Sequence, residues 1–428
     1  MILIPALCGV MHGAETNEAP TVATATNSAT LDALVAETLE RNPELKFYEA
    51  EIRVAKAGRK NAGLFANPEV SGGVGNKTVR GGGMSAEGVA WSVSLAQPFE
   101  WPGRLGLRKA IANRDIELAE LGYDRFKIAL GGRVRTLAYE LFAAQEKAAG
   151  AREVAERFTA LREVLVQRDP AGLTPMLEMR VIEATELTMH RKASDATIAT
   201  QAALLELNQL RGVAGDAQVA VKETPLVFRP AESRETLLAS ARTNNFELRA
   251  RAVELAQQGF RVDLAKNERF PSVSIGPTFS EENAGDRERI IGVSVSLPLP
   301  LWNRNNGNIE AAVARQTQAQ ASLDVAIREV ERKIVVVAMT YEAKLREMSK
   351  WQPDSVRHFR DAAELADRHY RLGAVPVSTY VELQKQYLET VESLLGTKKE
   401  ALELAQQLEL LTGLPAPLSS ASAKEEAQ

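Results

Sequence analysis

Two hydrophobic rhythms alternate along this chain. Val70, Gly72 and Val74 alternate with Glu69, Ser71 and Gly73; beyond a glycine-rich loop (Gly81 to Gly83), Val89, Trp91, Val93 and Leu95 alternate with Ala90, Ser92, Ser94 and Ala96. A period of two with one apolar face predicts a β-hairpin. A second hairpin follows from Val273, Ile275 and Phe279 alternating with Ser272, Ser274 and Thr278, then a polar loop (Glu281 to Arg289). Its other strand has Ile291, Val293, Val295 and Leu297 alternating with Gly292, Ser294 and Ser296. Strands of about 8–10 residues with this dyad pattern suit a membrane β-barrel or a half-buried soluble hairpin.

Elsewhere the period is helical. Residues 31–64 read as helix, punctuated by Asn42-Pro43. Leu130, Val134, Leu137 and Leu141, then Val154, Phe158, Leu161 and Leu165, step by four and three, the rhythm of a coiled-coil seam. The run from Arg104 to Gln167 contains no proline, and at about 1.5 Å per residue it would approach 100 Å in length. Its twin, about 306–371, carries the seam Val330, Ile334, Val337 and Tyr341; Pro353 predicts a kink or local loosening. Short turns (Asp169-Pro170-Ala171-Gly172 and Leu372-Gly373-Ala374-Val375) lead into return helices from about Met176 to Leu210 and Val377 to Leu411.

These landmarks recur in order. Leu45 and Leu248, and Pro68 and Pro271, are each 203 residues apart. Pro98, Trp101 and Arg104 return as Pro298, Trp302 and Arg304, and Gly172 and Pro175 as Gly373 and Pro376. So long a period indicates one duplicated unit rather than a short solenoid repeat. The organisation expected is a signal peptide and linker (1–29), a first repeat (30–212, hairpin about 68–97, helices about 104–167 and 176–211) and a connecting segment (213–232). A second repeat (233–413, hairpin about 271–297, helices about 304–371 and 377–412) and a flexible tail (414–428) complete it.

Composition narrows the functional classes. Lys+Arg total 52 against Asp+Glu 56, a net charge of −4 with no basic footprint for nucleic acid. One Cys and four His form no cluster with metal-ligand spacing, and Gly81 to Gly83 precede a strand rather than a helix, so they make no phosphate loop. No catalytic, cofactor or metal site is expected, and the chain reads as a non-enzyme. The apolar Met1 to Val10 and small residues at His12-Gly13-Ala14 suggest a leader. Cys8 would leave with it or, alternatively, carry lipid. No later apolar run reaches the roughly 18 residues of a membrane helix.

Four apolar-faced strands cannot close a barrel, and an open edge in lipid leaves backbone groups unpaired at several kcal/mol each. Two copies would supply eight strands, a barrel plugged by its own side chains, whereas three supply twelve and an open interior. Ser92, Ser94, Ser274, Gly292, Ser294 and Ser296 suit a wet inner face. A homotrimer is therefore expected, its helices continuing the wall.

The repeated helix, hairpin, long helix and return helix, with Gln97-Pro98-Phe99-Glu100-Trp101-Pro102-Gly103-Arg104 and Leu297-Pro298-Leu299-Pro300-Leu301-Trp302-Asn303-Arg304 at the junctions, resembles the TolC superfamily of outer-membrane efflux proteins. The junctions are similar to the CzcC-like branch serving heavy-metal cation efflux. The resemblance spans roughly Thr30 to Leu414. It implies a mainly α fold with a small membrane β-barrel: a trimeric 12-stranded barrel in the outer membrane of a Gram-negative bacterium, continued by a long α-helical barrel in the periplasm. Partners implied are a periplasmic adaptor (membrane fusion) protein, an inner-membrane RND pump and outer-membrane lipid. The pump would select the cargo.

By that resemblance the helical turns form the periplasmic tip and aperture, with Asp169, Gly172, Glu178, Arg371, Gly373 and Glu382 as candidates. An inward carboxylate repeated by threefold symmetry would make a ring attracting cations; otherwise each is a solvated surface charge. Family members often carry an arginine directly after the second glycine turn. Ala374 and Val375 stand there, so Arg371 or Arg368 would have to substitute. Pro98, Trp101, Pro102, Pro298, Pro300 and Trp302 are expected as structural residues where strands become helices. Met176, Met179, Met189, His190, His358 and His369 read as packing or surface residues. Drug efflux and type I protein secretion share this architecture, and a periplasmic coiled-coil scaffold would explain the helices without the hairpins.

Overall fold

The computed structural model describes residues 28–81, 84–168, 176–221, 226–351 and 355–419. The expected signal peptide with Cys8, the turn residues Asp169 and Gly172, and Pro353 lie outside the described residues. The first repeat runs β1 (Ser28–Ala29), α1 (Leu31–Arg41), α2 (Pro43–Ala62), β2 (Glu69–Gly81), β3 (Met84–Phe99), α3 (Arg104–Arg168) and α4 (Met176–Arg211). The connection holds β4 (Ala220–Val221) and β5 (Val227–Phe228). The second repeat runs α5 (Arg234–Asn244), α6 (Phe246–Asn267), β6 (Val273–Ala284), β7 (Asp286–Ser296), α7 (Asn306–Met348), α8 (Ser355–Arg371) and α9 (Val377–Thr412), followed by β8 (Leu418–Ser419).

The helix boundaries follow from local chemistry. Thr30 and Ser233 cap α1 and α5, their hydroxyls accepting from the backbone N–H groups of Ala33 and Thr236. Asn42 and Asn245 each end one helix and open the next, and Pro43 occupies the first turn of α2, where no N–H is needed. The seams are buried as the four–three rhythm predicts. Val134, Leu141, Val154 and Phe158 of α3, and Ile334 and Tyr341 of α7, are fully buried. They face the return helices: Phe158 and Leu161 share a core with Ile182 of α4 and Tyr380 and Tyr387 of α9, while Tyr341 packs with Ala401 and Leu408 of α9. The helical run expected over 306–371 is divided, α7 ending in a turn at Ser349 and α8 starting at Ser355, whereas α3 is continuous over 65 residues.

The hairpins join in one antiparallel sheet of order β2-β3-β6-β7, so the two repeats meet at the β3–β6 ladder. There the backbones approach so closely that a Cβ on Gly276 would collide with the Leu95 carbonyl, and one on Gly88 with that of Asn283. The strands have 13, 16, 12 and 11 residues, longer than the sequence reading expected. The expected loop from Glu281 to Arg289 is strand apart from the turn at Gly285 (φ +94°). Cross-strand ion pairs hold these charged residues in extended form: Glu281 binds Arg287 and Arg289, and Lys77 on β2 reaches Glu282 (2.7 Å) and Glu288 (2.8 Å). Pro98 does not end its strand. The β2 ladder stops at Ala96, but β3 pairs on with β6 through Pro98–Ser274 and Phe99–Val273.

The start of the expected flexible tail is ordered. β8 pairs antiparallel with β5, and the Pro417 carbonyl accepts from Arg229 N–H (2.9 Å) and the Tyr341 hydroxyl (3.2 Å). In the first repeat β4 pairs in parallel with β1, so both short ladders tie the connecting segment to the helices.

Candidate functional site

The sheet separates its side chains by chemistry. Register places Val74 opposite Trp91, Val93 opposite Phe279 and Phe279 opposite Ile291 on one face. Val74 and Ile291 are each 82% exposed and Val293 73%, an apolar surface with no partner in the chain among the described residues. The opposite face is small and polar: Ser71 faces Ser94, Gly73 faces Ser92, Ser274 faces Ser296 and Gly276 faces Ser294. All six residues expected on a wet face therefore share one side, Gly292 included through its pairing with Thr278. The outer strands β2 and β7 each leave an edge unpaired within the sheet. No helix among the described residues is long and apolar enough to cross a membrane, which does not bear on the strands.

The strand-to-helix junction is locked in the first repeat. Arg104 donates to the Asn267 side chain (3.0 Å) and carbonyl (3.1 Å), the Phe270 carbonyl (2.6 Å) and the Ser272 hydroxyl (3.2 Å). Trp101 stacks on Phe270 with ring centroids 4.7 Å apart, and the Pro102 carbonyl accepts from Asn267. In the second repeat Pro298, Pro300 and Trp302 line a small surface cavity with Arg269 and Pro271, and Trp302 is 92% exposed.

At the far end of the helices the structure brings together three sequence candidates. Glu178 in the first turn of α4, Arg371 at the end of α8 and Gly373 in the turn line one cavity with Tyr370. Gly373 has φ +74°, a conformation that favours glycine, and closes the helix end. Arg371 is bound by Asp367 one helical turn earlier (2.8 Å). Glu382 is exposed outside this cavity and accepts from Gln386. Arg368 pairs loosely with Glu364.

Further residues that escaped the sequence reading build this region. Arg157 bonds Glu153 and the Gln384 side-chain oxygen Oε1 (3.2 Å), and Gln384, fully buried, donates from its side-chain amide to the Ala363 backbone carbonyl (2.7 Å). Tyr380 is fully buried between Tyr370 and Phe158. Burial, and then the Asp367 carboxylate beside it, push its phenol well above the usual range; burial, then Glu178, raises Tyr370. Gln384 was detectable, since it falls four residues after Tyr380 on an otherwise apolar seam. Asp367 was equally visible, four residues before Arg371.

Met189 is buried and Met176 exposed, while His190 lies 2.9 Å from the Thr159 hydroxyl. Among the described residues no three His, Cys, Asp or Glu side chains converge as a metal site.

Comparison with known proteins matches residues 237–414, the second repeat, to the family of outer membrane efflux proteins. No curated protein matches the chain by sequence. Among solved structures, the Campylobacter jejuni CmeC outer membrane channel aligns at 16% identity and a TM-score of 0.71, covering 93% of this chain and 89% of that one. A membrane protein from Pseudomonas aeruginosa aligns at 18% identity and 0.71, covering 90% and 91%. The open state of the Neisseria gonorrhoeae MtrE outer membrane channel aligns at 16% and 0.65, covering 90% of each. Identities this low establish shared architecture. The chain thus has the fold of outer-membrane channels along nearly its whole length, and its second repeat carries the outer membrane efflux protein match.

Proposed function

We propose that this protein is the outer-membrane exit duct of a tripartite efflux system, a passive conduit rather than an enzyme. The observation that carries the reading is the four-stranded sheet with one exposed apolar face, one small polar face and two open edges. Lipid tolerates such a sheet only when it closes, and three copies give a 12-stranded barrel wide enough to stay open. The polar face then lines a wet interior, and α2, α3, α6 and α7 continue the wall beneath it. Partners follow the architecture: a periplasmic adaptor at the helical tip and an inner-membrane RND pump that supplies the energy. The match over residues 237–414 supports the efflux role.

The cargo we propose is divalent heavy-metal cations, on the strength of the Phe99-Glu100-Trp101-Pro102-Gly103-Arg104 and Leu297-Pro298-Leu299-Pro300-Leu301-Trp302-Asn303-Arg304-Asn305 junctions. The aperture is assigned to the tip, with Glu178, Arg371 and Gly373 around the cavity, Asp169 and Gly172 in the first turn, and Glu382 as an exposed carboxylate. Two measurements test the proposal. Purified protein reconstituted in planar bilayers gives ohmic pores, and Glu382→Gln lowers their cation preference; absence of pores refutes the duct. A deletion strain becomes sensitive to zinc, cobalt, cadmium, copper or nickel. Sensitivity to drugs alone, or loss of a secreted protein, replaces the metal cargo.

A further inference from the structure

The junction arginine of the first repeat acts within the chain, whereas its second-repeat counterpart holds none of the described residues. Arg104 binds the last residue of α6 and the strap leading to β6 with four hydrogen bonds. Arg304 occupies the same place after Pro298 and Trp302, yet it is exposed and makes no hydrogen bond or ion pair with any described residue. We infer that Arg304 is an intermolecular clamp, binding the Glu69 carboxylate and the Asn67 carbonyl of a second copy of this chain where β7 meets that copy's β2. This rests on the oligomeric duct proposed above and assigns it a residue-level contact.

The argument is one of internal symmetry. At the β3–β6 ladder the first repeat meets the second, with Val93 opposite Phe279 and Ser94 opposite Thr278. The open edges β7 and β2 are the second-repeat and first-repeat equivalents of those strands. Pairing them in the same way sets odd-numbered residues of β7 opposite even-numbered residues of β2. Val293 and Val295 then continue the apolar face of Val70 and Val74, and Ser294 continues the polar one; a one-residue slip would invert both.

The 203-residue offset carries Phe270 and Ser272, two of the three Arg104 partners, onto Asn67 and Glu69, and the third, Asn267, onto Leu64, which keeps only a backbone carbonyl. Glu69 is exposed and makes no ion pair with any described residue. A hydroxyl inside the chain is thereby replaced by a carboxylate between chains, which makes the second clamp charge-assisted. Exposed apolar side chains flank both halves: Leu64 and Phe65 on one edge, Leu301 and Trp302 on the other. Trp101 in the corresponding place stacks on Phe270 and is 41% exposed, against 92% for Trp302.

The test uses the full chain in detergent, its copy number read by native mass spectrometry. Arg304→Glu and Glu69→Arg each lower the oligomer fraction by roughly tenfold or more at fixed concentration, and the double exchange restores it. As a check independent of charge reversal, Arg304→Lys treated with a carbodiimide yields covalent ladders of copies, which Glu69→Gln removes. Oligomers unaffected by either reversal, or ladders that persist with Glu69→Gln, overturn the clamp while leaving the oligomeric duct standing. A wild-type chain that stays a single copy in detergent overturns both.

Discussion

Asn245 donates from its side-chain amide to the backbone carbonyl of Leu411 at 2.8 Å, and Asn42 makes the same bond to Leu210 at the same distance. In each repeat one buried asparagine joins two short helices to the end of the return helix. Its other atom serves locally, since the Asn42 oxygen accepts from Glu44 N–H and that of Asn245 from Leu248 N–H.

Because both asparagines are buried, truncation removes a helix cap and leaves a carbonyl unsatisfied. Asn245→Ala is expected to cost about 1–3 kcal/mol, with Asn42→Ala similar. Chemical denaturation measures it. A change within experimental error for both would show that solvent replaces the amide.

The repeats differ beside this joint. Arg211 forms a forked pair with Glu37 (2.9 Å), largely shielded from solvent; the second repeat places Thr412 and Ser240 at the corresponding positions. Arg211→Thr alone leaves Glu37 with only the exposed Arg41 as a charged partner (2.9 Å) and is expected to cost about 1–3 kcal/mol. Adding Glu37→Ser, which copies the second repeat's solution, recovers about 1 kcal/mol or more. Strictly additive effects in a double-mutant cycle would refute the coupling.

Tyr341 supplies a pH dependence. Its hydroxyl donates to the Arg229 carbonyl (2.8 Å), and burial pushes the phenol up to about 12. In the unfolded chain it titrates near its ordinary value of roughly 10. The folded state therefore holds its proton more tightly: the contribution is complete below about pH 10 and is lost as pH rises toward 12, roughly 2–3 kcal/mol in all. Tyr341→Phe should flatten that part of the stability profile. An equally steep alkaline loss in the variant would assign it elsewhere.

The two faces of β7 should respond oppositely to charge. Val293→Arg puts a cation on the exposed apolar face and, in a lipid-embedded barrel, costs about 2–4 kcal/mol near the membrane midplane. Ser294→Arg, one residue on, faces the polar side and leaves insertion intact. Membrane insertion and heat resistance of the assembled protein distinguish them, and equal behaviour would contradict a lipid-facing sheet.

Much of this molecule was legible in the residues alone, because periodicity is a local property. A rhythm of two marked both hairpins and assigned Ser92, Ser94, Ser274, Gly292, Ser294 and Ser296 to one face. A rhythm of three and four marked the seams through Val134, Leu141, Ile334 and Tyr341. Asn42-Pro43 announced a helix joint, and the 203-residue echo announced the duplication. What only the tertiary structure decided depends on partners far apart in the chain. Glu281 to Arg289 reads as polar loop in sequence and becomes strand because neighbouring charges, with Lys77 some two hundred residues earlier, neutralise it. The tail settles where it does because β5 offers a free edge to Leu418. Glu178 shares a cavity with Arg371 because α4 begins where α8 ends. Side-chain period is written in neighbours; the pairing of distant strands and charges is set by packing, which no local pattern encodes.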